Sequence, residues 1–372
     1  MDIQAARETK QELLRTAATA LSAARTGAGG AAGLLVGVRV YGGGRYGLAV
    51  RHDGTAGAAV AARALELAGE DADVLDVGVV RALVGDGGPA AQRLDPQRLD
   101  PQRLDPQRLD PQRLDPGAPP TGRSPAERDL VGAPTPARPG RWGAEVLQQR
   151  ERPLRPGLSV AQRAVTAGTV GAFVERPGDA ARYLLSNNHV LADSDRAATG
   201  SAVLQPGSAD GGTAADAVGR LAVAVPLQLA TPNVVDAALA VLDDDVEVDP
   251  TYPVGAITTT TAADDGLVVE KVGRTTGLTR GAVTAIELDG VAVSYPSGVV
   301  TFDDQVEVTG ADGVFSAGGD SGSLVYDPAA RAAVGLLFAG SERGGPGGAG
   351  LTFCNPVDAV LEALGARLLA ST

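Results

Sequence analysis

The sequence predicts a mainly β protein: an antiparallel β domain closed by one C-terminal helix, preceded by a small α/β module and a disordered linker. Three observations carry this. From about Leu154, short apolar runs such as GTVGAFVE, VGRLAVAVPL, GLVVEKVG, GSLVYD and AVGLLFAG are separated by Gly, Pro, Asp and Asn, the texture of an all-β barrel or sandwich. Upstream, QRLDP occurs five times between Gln92 and Pro116, and a proline every fifth residue breaks a helix by removing amide donors and restricting the residue before it. At the end, NPVDAVLEALGARLLA has helical spacing, with Asn355 as a candidate N-cap and Pro356 at the first helical position.

The N-terminal part starts with an amphipathic helix over residues 2–25. GLLVGVRVYGGGRYGLAVRHDG follows as two strands joined across Gly42–Gly44, then AGAAVAARALELAG as a helix and DADVLDVGVVRAL as a strand with a short extension. This strand–strand–helix–strand unit occupies residues 1–88 and is thin in aromatics, so it needs a partner surface to be stable. Residues 89–150 read as a spacer, because the QRLDP tract is neutral and its period is too short for a solenoid unit. A peptide dock for another protein is the functional alternative for this tract. Residues 151–372 form the β domain.

A length of 372 residues gives a prior of two domains, and a hydrophobic share of 44% supplies at least one large core. The net charge of −13 and the lack of a Lys/Arg cluster argue against nucleic acid and anionic membrane as partners. The first residues lack the pattern of a signal peptide, and no run reaches the length of a membrane span. Cys354 is the only cysteine, so an internal disulfide is excluded. A cytoplasmic chain fits this composition.

One stretch raises a chemical question: GGDSGSLVY, Gly318–Tyr326, places an acid, a serine and three glycines before an apolar strand. It is either a tight turn or the display of a nucleophile, and the second reading needs a histidine and an acid elsewhere. The chain has two histidines. His52 lies at a strand end in VRHDGT and reads as solvated. His189 lies in LLSNNHVLAD, where an apolar strand meets a polar corner, as at a barrel rim. Of the downstream acids, Asp236 in NVVDAALAVL stands between an apolar pair and a strand; a carboxylate buried there needs a donor, and His189 Nδ1–H would supply it. Asp193 and Asp195 are too near His189 in the chain and decorate the loop. Ser321 is then the nucleophile, with the amides of Gly319 and Ser321 as an oxyanion hole and Gly322 allowing a close backbone approach. Asp320 would turn inward and brace the loop. The order His189, Asp236, Ser321 is one that serine-protease triads take and the reverse of the Ser, acid, His order of an α/β-hydrolase.

LLSNNHVLA, VDAALAVL and GGDSGSLVY together resemble the catalytic segments of chymotrypsin-fold serine peptidases, and EKVGRTTGLTRGAV resembles a hairpin of the streptogrisin and α-lytic branch. That branch usually closes the hairpin with a disulfide; Glu270 and Arg280 take the matching positions here, where a cross-strand ion pair would be worth at most about 1 kcal/mol if exposed. GLSVAQRAVTAGTVGAF, VLQPGSADGG and NVVDAALA further resemble the plant narrow-leaf protein and its bacterial relatives, which share the small N-terminal module. The resemblance implies two six-stranded β-barrels with a cleft between them, a serine endopeptidase acting on polypeptide substrates, and no metal or organic cofactor. It places the primary pocket at Phe315, Phe338 and Gly340; no acid stands there, so a small or medium apolar residue before the cut is expected. A site formed without processing, and control by the N-terminal module or by homo-oligomer assembly, are consistent with it. The rival class is a catalytically silent scaffold. An HtrA-like protease, suggested by NNHV, is disfavoured because only about 50 residues follow Ser321. Cys354 reads as a small buried apolar residue.

Overall fold

The computed structural model describes residues 1–25, 34–53, 57–83, 140–264 and 266–369; the QRLDP tract lies outside them. Six antiparallel strands close a barrel in the C-terminal half. Val268–Gly273 pairs with Gly277–Asp289, which pairs with Gln305–Gly310, then Thr352–Pro356, Ala332–Ser341 and Leu324–Asp327, which returns to the first. Ala332–Ser341 is buried over nine of its ten residues. It serves several apolar clusters at once: Ala333 and Leu336 face one, Val334 and Leu337 another, Phe338 and Ala339 a third. A strand covered on both faces reads as a continuous apolar run, as AVGLLFAG does.

The preceding strands form a second curved antiparallel sheet. Its order is Arg367–Leu368, Ala172–Glu175, Arg182–Ser186, Ala238–Leu242, Ala217–Ala224, Ala202–Leu204, Ser159–Gln162 and Gly168–Thr169. This is a half-barrel, where two closed six-stranded barrels were expected. The edge of Ala172–Glu175 is taken by Arg367–Leu368 from beyond the C-terminal helix. That helix, Val357–Leu364, packs Val357, Val360 and Leu364 into a cluster shared by both sheets. Its N-cap is Pro356, and Asn355 belongs to the strand before it. The expected capping role of Asn355 fails because its side chain is committed elsewhere, as described below.

The tract expected as linker through residue 150 is folded from Gly140 onward. Trp142 and Leu147 are buried in the half-barrel core, and Ala144–Leu147 makes a helical turn. Arg141 and Arg155 each stand 4.9 Å from the Trp142 ring and help seat it.

The N-terminal strands find their partner surface on the closed barrel. Leu34–Gly42 and Arg45–His52 form a hairpin across Gly42–Gly44, all three at positive φ, which glycine adopts without a Cβ penalty. Ala72–Asp76 then lies parallel to Arg45–His52, with the helix Gly57–Ala68 as crossover. Leu34, Val36, Leu48 and Val50 meet Leu13 of the first helix, Ile3–Arg25, and Val60 and Ala64 of the second. The hairpin's first strand, Leu34–Gly42, pairs with Gly277–Asp289, so the module extends the barrel's own sheet. A buried charge cluster locks this junction: Arg51 donates to Glu307 at 2.7 and 3.0 Å and to Asp73 at 2.8 Å.

Candidate active site

The strand Arg182–Ser186 delivers a corner whose polar residues each have a partner. Ser186 Oγ donates to Thr169 O at 2.8 Å, Asn187 Nδ2 to Asp236 O at 2.7 Å, and Asn188 Nδ2 to Asp195 and to Val225 O. These bonds offset much of the cost of burying SNN, although Asn187 Oδ1 is left without a partner. His189 follows in the short helix Asn188–Leu191. Its Nδ1 lies 2.5 Å from Asp236 Oδ2, and its backbone amide donates to Asp236 Oδ1 at 3.1 Å. Nε2 is buried without a hydrogen-bond partner.

Two groups that sequence reading missed hold Asp236. Asn355 Oδ1 accepts from the Asp236 amide at 2.9 Å while its Nδ2 donates to Gln305, and Tyr295 Oη donates to Asp236 Oδ2 at 2.6 Å. Burial alone would raise the Asp236 carboxyl, but the His189 imidazole and the hydrogen bonds from His189 and Tyr295 outweigh it and hold the acid below its ordinary range. Burial, and then the neighbouring carboxylate, push the Tyr295 phenol well up, so it stays a donor. The sign follows: a depressed carboxylate contributes stability that is present above its unfolded value near about pH 4 and is lost as pH falls through the folded value. Tyr295→Phe removes a hydrogen bond to a charged group, worth about 1.5–3 kcal/mol. The expected result is a lower denaturation midpoint at pH 7, with the difference from wild type shrinking in acid; an unchanged midpoint would contradict it.

The GGDSGS loop is built around its acid. Asp320 accepts from the amides of Thr275 at 2.7 Å and Ala317 at 2.9 Å and from Thr276 Oγ1 at 2.7 Å, with Lys271 Nζ at 3.5 Å. This supplies the brace partner that the sequence left open. Gly319 has φ +98, and Gly322 has φ +91 with Ser186 Oγ only 2.0 Å from where a Cβ would stand. The loop therefore seats directly under the corner that leads to His189; Thr169 N also donates to Ser321 O at 2.8 Å. Ser321 is buried, and its Oγ donates to Phe338 O at 3.2 Å. The structure thus brings His189 and Asp236 into contact, while the Ser321 hydroxyl is bonded to the Phe338 carbonyl.

Beside this loop a strand from the N-terminal part is built into the sheet, between Ala332–Ser341 and Val291–Tyr295. Val80–Ala82 runs antiparallel to Ala332–Ser341, with Arg81 opposite Gly340 and Ala82 opposite Ala339. Leu83 N donates to Phe338 O at 3.2 Å, and Gly319 N donates to Leu83 O at 2.6 Å. A Cβ at Gly340 would stand 3.2 Å from both Leu83 δ carbons. The Leu83 side chain joins the apolar cluster that contains Phe315, whereas the Phe338 ring turns away onto Phe302, with centroids 4.7 Å apart.

Other residues singled out from sequence take lesser places. His52 ends its strand, and Asp193 pairs with Arg196 on the loop surface. Glu270 and Arg280 face each other in register, and Tyr326 Oη donates to Glu270. Cys354 is buried, and burial pushes its thiol up. Among the described residues no cluster of His, Cys, Asp and Glu could hold a metal ion, and no helix is long and apolar enough to cross a membrane.

No family model matches the chain, and no curated protein matches it. Among solved structures it is similar to Protease A of Thermobifida fusca, at 19% identity and TM-score 0.42, over 59% of this chain and 100% of that one. It is similar to the chymotrypsin of Cellulomonas bogoriensis, at 23% identity and TM-score 0.39, over 59% and 100%. It is also similar to a Nocardiopsis protease, at 21% identity and TM-score 0.40, over 58% and 100%. The described residues form one closed six-stranded barrel and one half-barrel sheet.

Proposed function

We propose that the protein is a serine endopeptidase that hydrolyses peptide bonds through His189, Asp236 and Ser321. One observation carries this reading: a buried imidazole is clamped at Nδ1 by a carboxylate and its Nε2 has no hydrogen-bond partner, while Gly322, next to Ser321, packs against Ser186, three residues before that histidine. Asp236 fixes the tautomer in which Nε2 is the free base. Ser321 Oγ turns from the Phe338 carbonyl towards Nε2, a bond that in such sites tightens when substrate is present. Nε2 takes the hydroxyl proton as Oγ attacks the carbonyl carbon. The Gly319 amide, with that of Ser321, stabilises the oxyanion. His189 then protonates the leaving amine, and water resolves the acyl-enzyme by the same relay. Kinship with the narrow-leaf protein is part of this reading and rests on the motifs GLSVAQRAVTAGTVGAF and VLQPGSADGG.

The strand Val80–Ala82, bonded beside the Ser321 loop, favours the rival, a silent scaffold. Labelling by a small fluorophosphonate probe separates the two. Wild type is expected to label at Ser321, and Ser321→Ala to keep the fold and lose the label. Equal labelling of both proteins would remove Ser321 as nucleophile.

A further inference from the structure

The hairpin tip between Gly273 and Gly277, in the stretch EKVGRTTGLTRGAV, lies against the loop that carries Ser321. A Cβ on Gly319 would stand 2.5 Å from Thr275 Oγ1 and 2.8 Å from Arg274 Nη1. Thr275 Oγ1 donates to Gly318 O at 2.6 Å. That carbonyl and the Gly319 N–H belong to one peptide unit, and a planar trans unit points them in opposite directions. The Gly319 amide accordingly donates on the far side, to Leu83 O at 2.6 Å. The Thr275 hydroxyl is itself aimed. Arg274 Nη1 donates to it at 3.0 Å, and a guanidinium can only donate, so the hydroxyl accepts there and keeps its hydrogen for Gly318 O. Arg274 is fixed in turn. Its Nε donates to Asp210 at 2.7 Å, its Nη2 bonds the other carboxylate oxygen, and Asp210 also takes the Ser159 hydroxyl at 2.6 Å. The Arg274 and Asp210 side chains are only 12% and 5% exposed, so water competes little for the pair.

We infer that Thr275, aimed by Arg274 and Asp210, is the positioning residue that keeps the oxyanion-hole amide of Gly319 turned into the site. The inference rests on the endopeptidase reading above. Glycines on both sides of the 318–319 peptide put no side chain in the way of its rotation. A half-turn would present a carbonyl oxygen where the oxyanion needs a donor. The glycine that allows φ +98 at position 319 thus leaves that peptide free to turn, and the Thr275 hydroxyl supplies the restraint. Neighbouring bonds do not replace it. Asp320 accepts from the amides of Thr275 and Thr276 and from Thr276 Oγ1, which secures the loop one residue later. Thr169 Oγ1 donates to Gly319 O at 2.9 Å, which secures the following peptide unit. Ser159 belongs to the half-barrel sheet and Thr275 to a hairpin of the closed barrel, so the relay also ties the direction of this amide to the seating of one sheet on the other.

Phosphonylation of the purified full chain by a fluorophosphonate tests this, because the phosphoryl oxygen takes the place of the oxyanion. Thr275→Val keeps the branched shape and removes the hydroxyl. Its maximal rate of phosphonylation is expected to fall about tenfold, as far as one neutral hydrogen bond biases an equilibrium and less than the roughly 10²–10³ for losing the donor outright. The probe concentration giving half that rate should stay within about twofold of wild type, since the bond acts on the transition state. Thr275→Ser keeps the hydroxyl and should recover at least about half of the wild-type rate. Arg274→Lys lacks the fork that holds Asp210 and aims Thr275 at once, and should slow the maximal rate at least about threefold; it decides the question by the same readout if Thr275→Val does not fold. A Thr275→Val or Arg274→Lys protein at the wild-type rate overturns the inference and leaves the endopeptidase reading standing. So does a loss confined to the half-rate concentration, or a Thr275→Ser protein as slow as Thr275→Val. Absence of label at Ser321 in the wild type removes the endopeptidase reading, and this inference with it.

Discussion

Asp236→Asn is expected to lower the rate of acyl transfer at Ser321 by about 10⁴, with the fold retained. The carboxylate receives the His189 ring nitrogen, the His189 amide and the Tyr295 hydroxyl at once. An amide of the same shape offers one oxygen and one NH₂ in place of two acceptors. With the NH₂ facing the ring, Nδ1 becomes the acceptor and the proton moves to Nε2, where it blocks the base. With the oxygen facing the ring, the other donors lose their acceptor and the developing imidazolium loses its counter-charge. The rate at which a fluorophosphonate phosphonylates Ser321, which uses the same base, checks the result beside a circular dichroism spectrum matching wild type. Uptake within about tenfold of wild type would remove Asp236 from the relay, since that difference is far below what a wrong tautomer costs. Because the carboxyl is held below its ordinary range, the wild-type clamp should survive down to about pH 4, so any loss of activity at milder acidity comes from another group.

Glu307→Ala is expected to destabilise the protein by about 3–5 kcal/mol, the cost of stranding a buried charge. Glu307 and Arg51 are both fully buried; Glu307 takes two bonds from Arg51 and one from Thr284 Oγ1 at 2.8 Å. Burial pulls the Arg51 guanidinium down, yet Asp73 and Glu307 raise it further, so it cannot shed its proton to relieve the loss. Arg39 sits 3.3 Å from Asp73 and adds to the positive charge left behind. Urea unfolding midpoints measure the effect. Replacing both partners by apolar residues, Arg51→Met with Glu307→Leu, should cost less than Glu307→Ala alone, because no bare charge remains. A single-variant loss below about 1 kcal/mol would mean that water reaches the cluster.

The reading of particular residues shows where sequence reasoning has force. His189, Asp236 and Ser321 were singled out because each breaks a local pattern: an imidazole after a polar corner, a carboxylate between apolar runs, a serine among glycines. Asn355 was misread for the opposite reason. Asn-Pro before a helical pattern is a strong capping signal, and nothing local reveals that its amide faces Asp236 and Gln305. Tyr295 stands 59 residues from Asp236 in an ordinary hairpin and carried no signal at all. Trp142 and Leu147 were lost in a proline-rich composition, though two buried apolar side chains anchor that stretch.

Hydrophobic alternation, turn glycines and helical spacing are properties of neighbours in the chain, so the sequence by itself determined the mainly β character, the N-terminal strand–strand–helix–strand unit and the chemistry-bearing segments. Closure of one barrel, pairing of Arg367–Leu368 with Ala172–Glu175, and fusion of the N-terminal hairpin to Gly277–Asp289 were decided only in three dimensions. So was the seating of Leu83 against Gly319. Edge strands present the same unpaired amides and carbonyls whatever their sequence, and which strand takes them depends on the shape of the whole molecule.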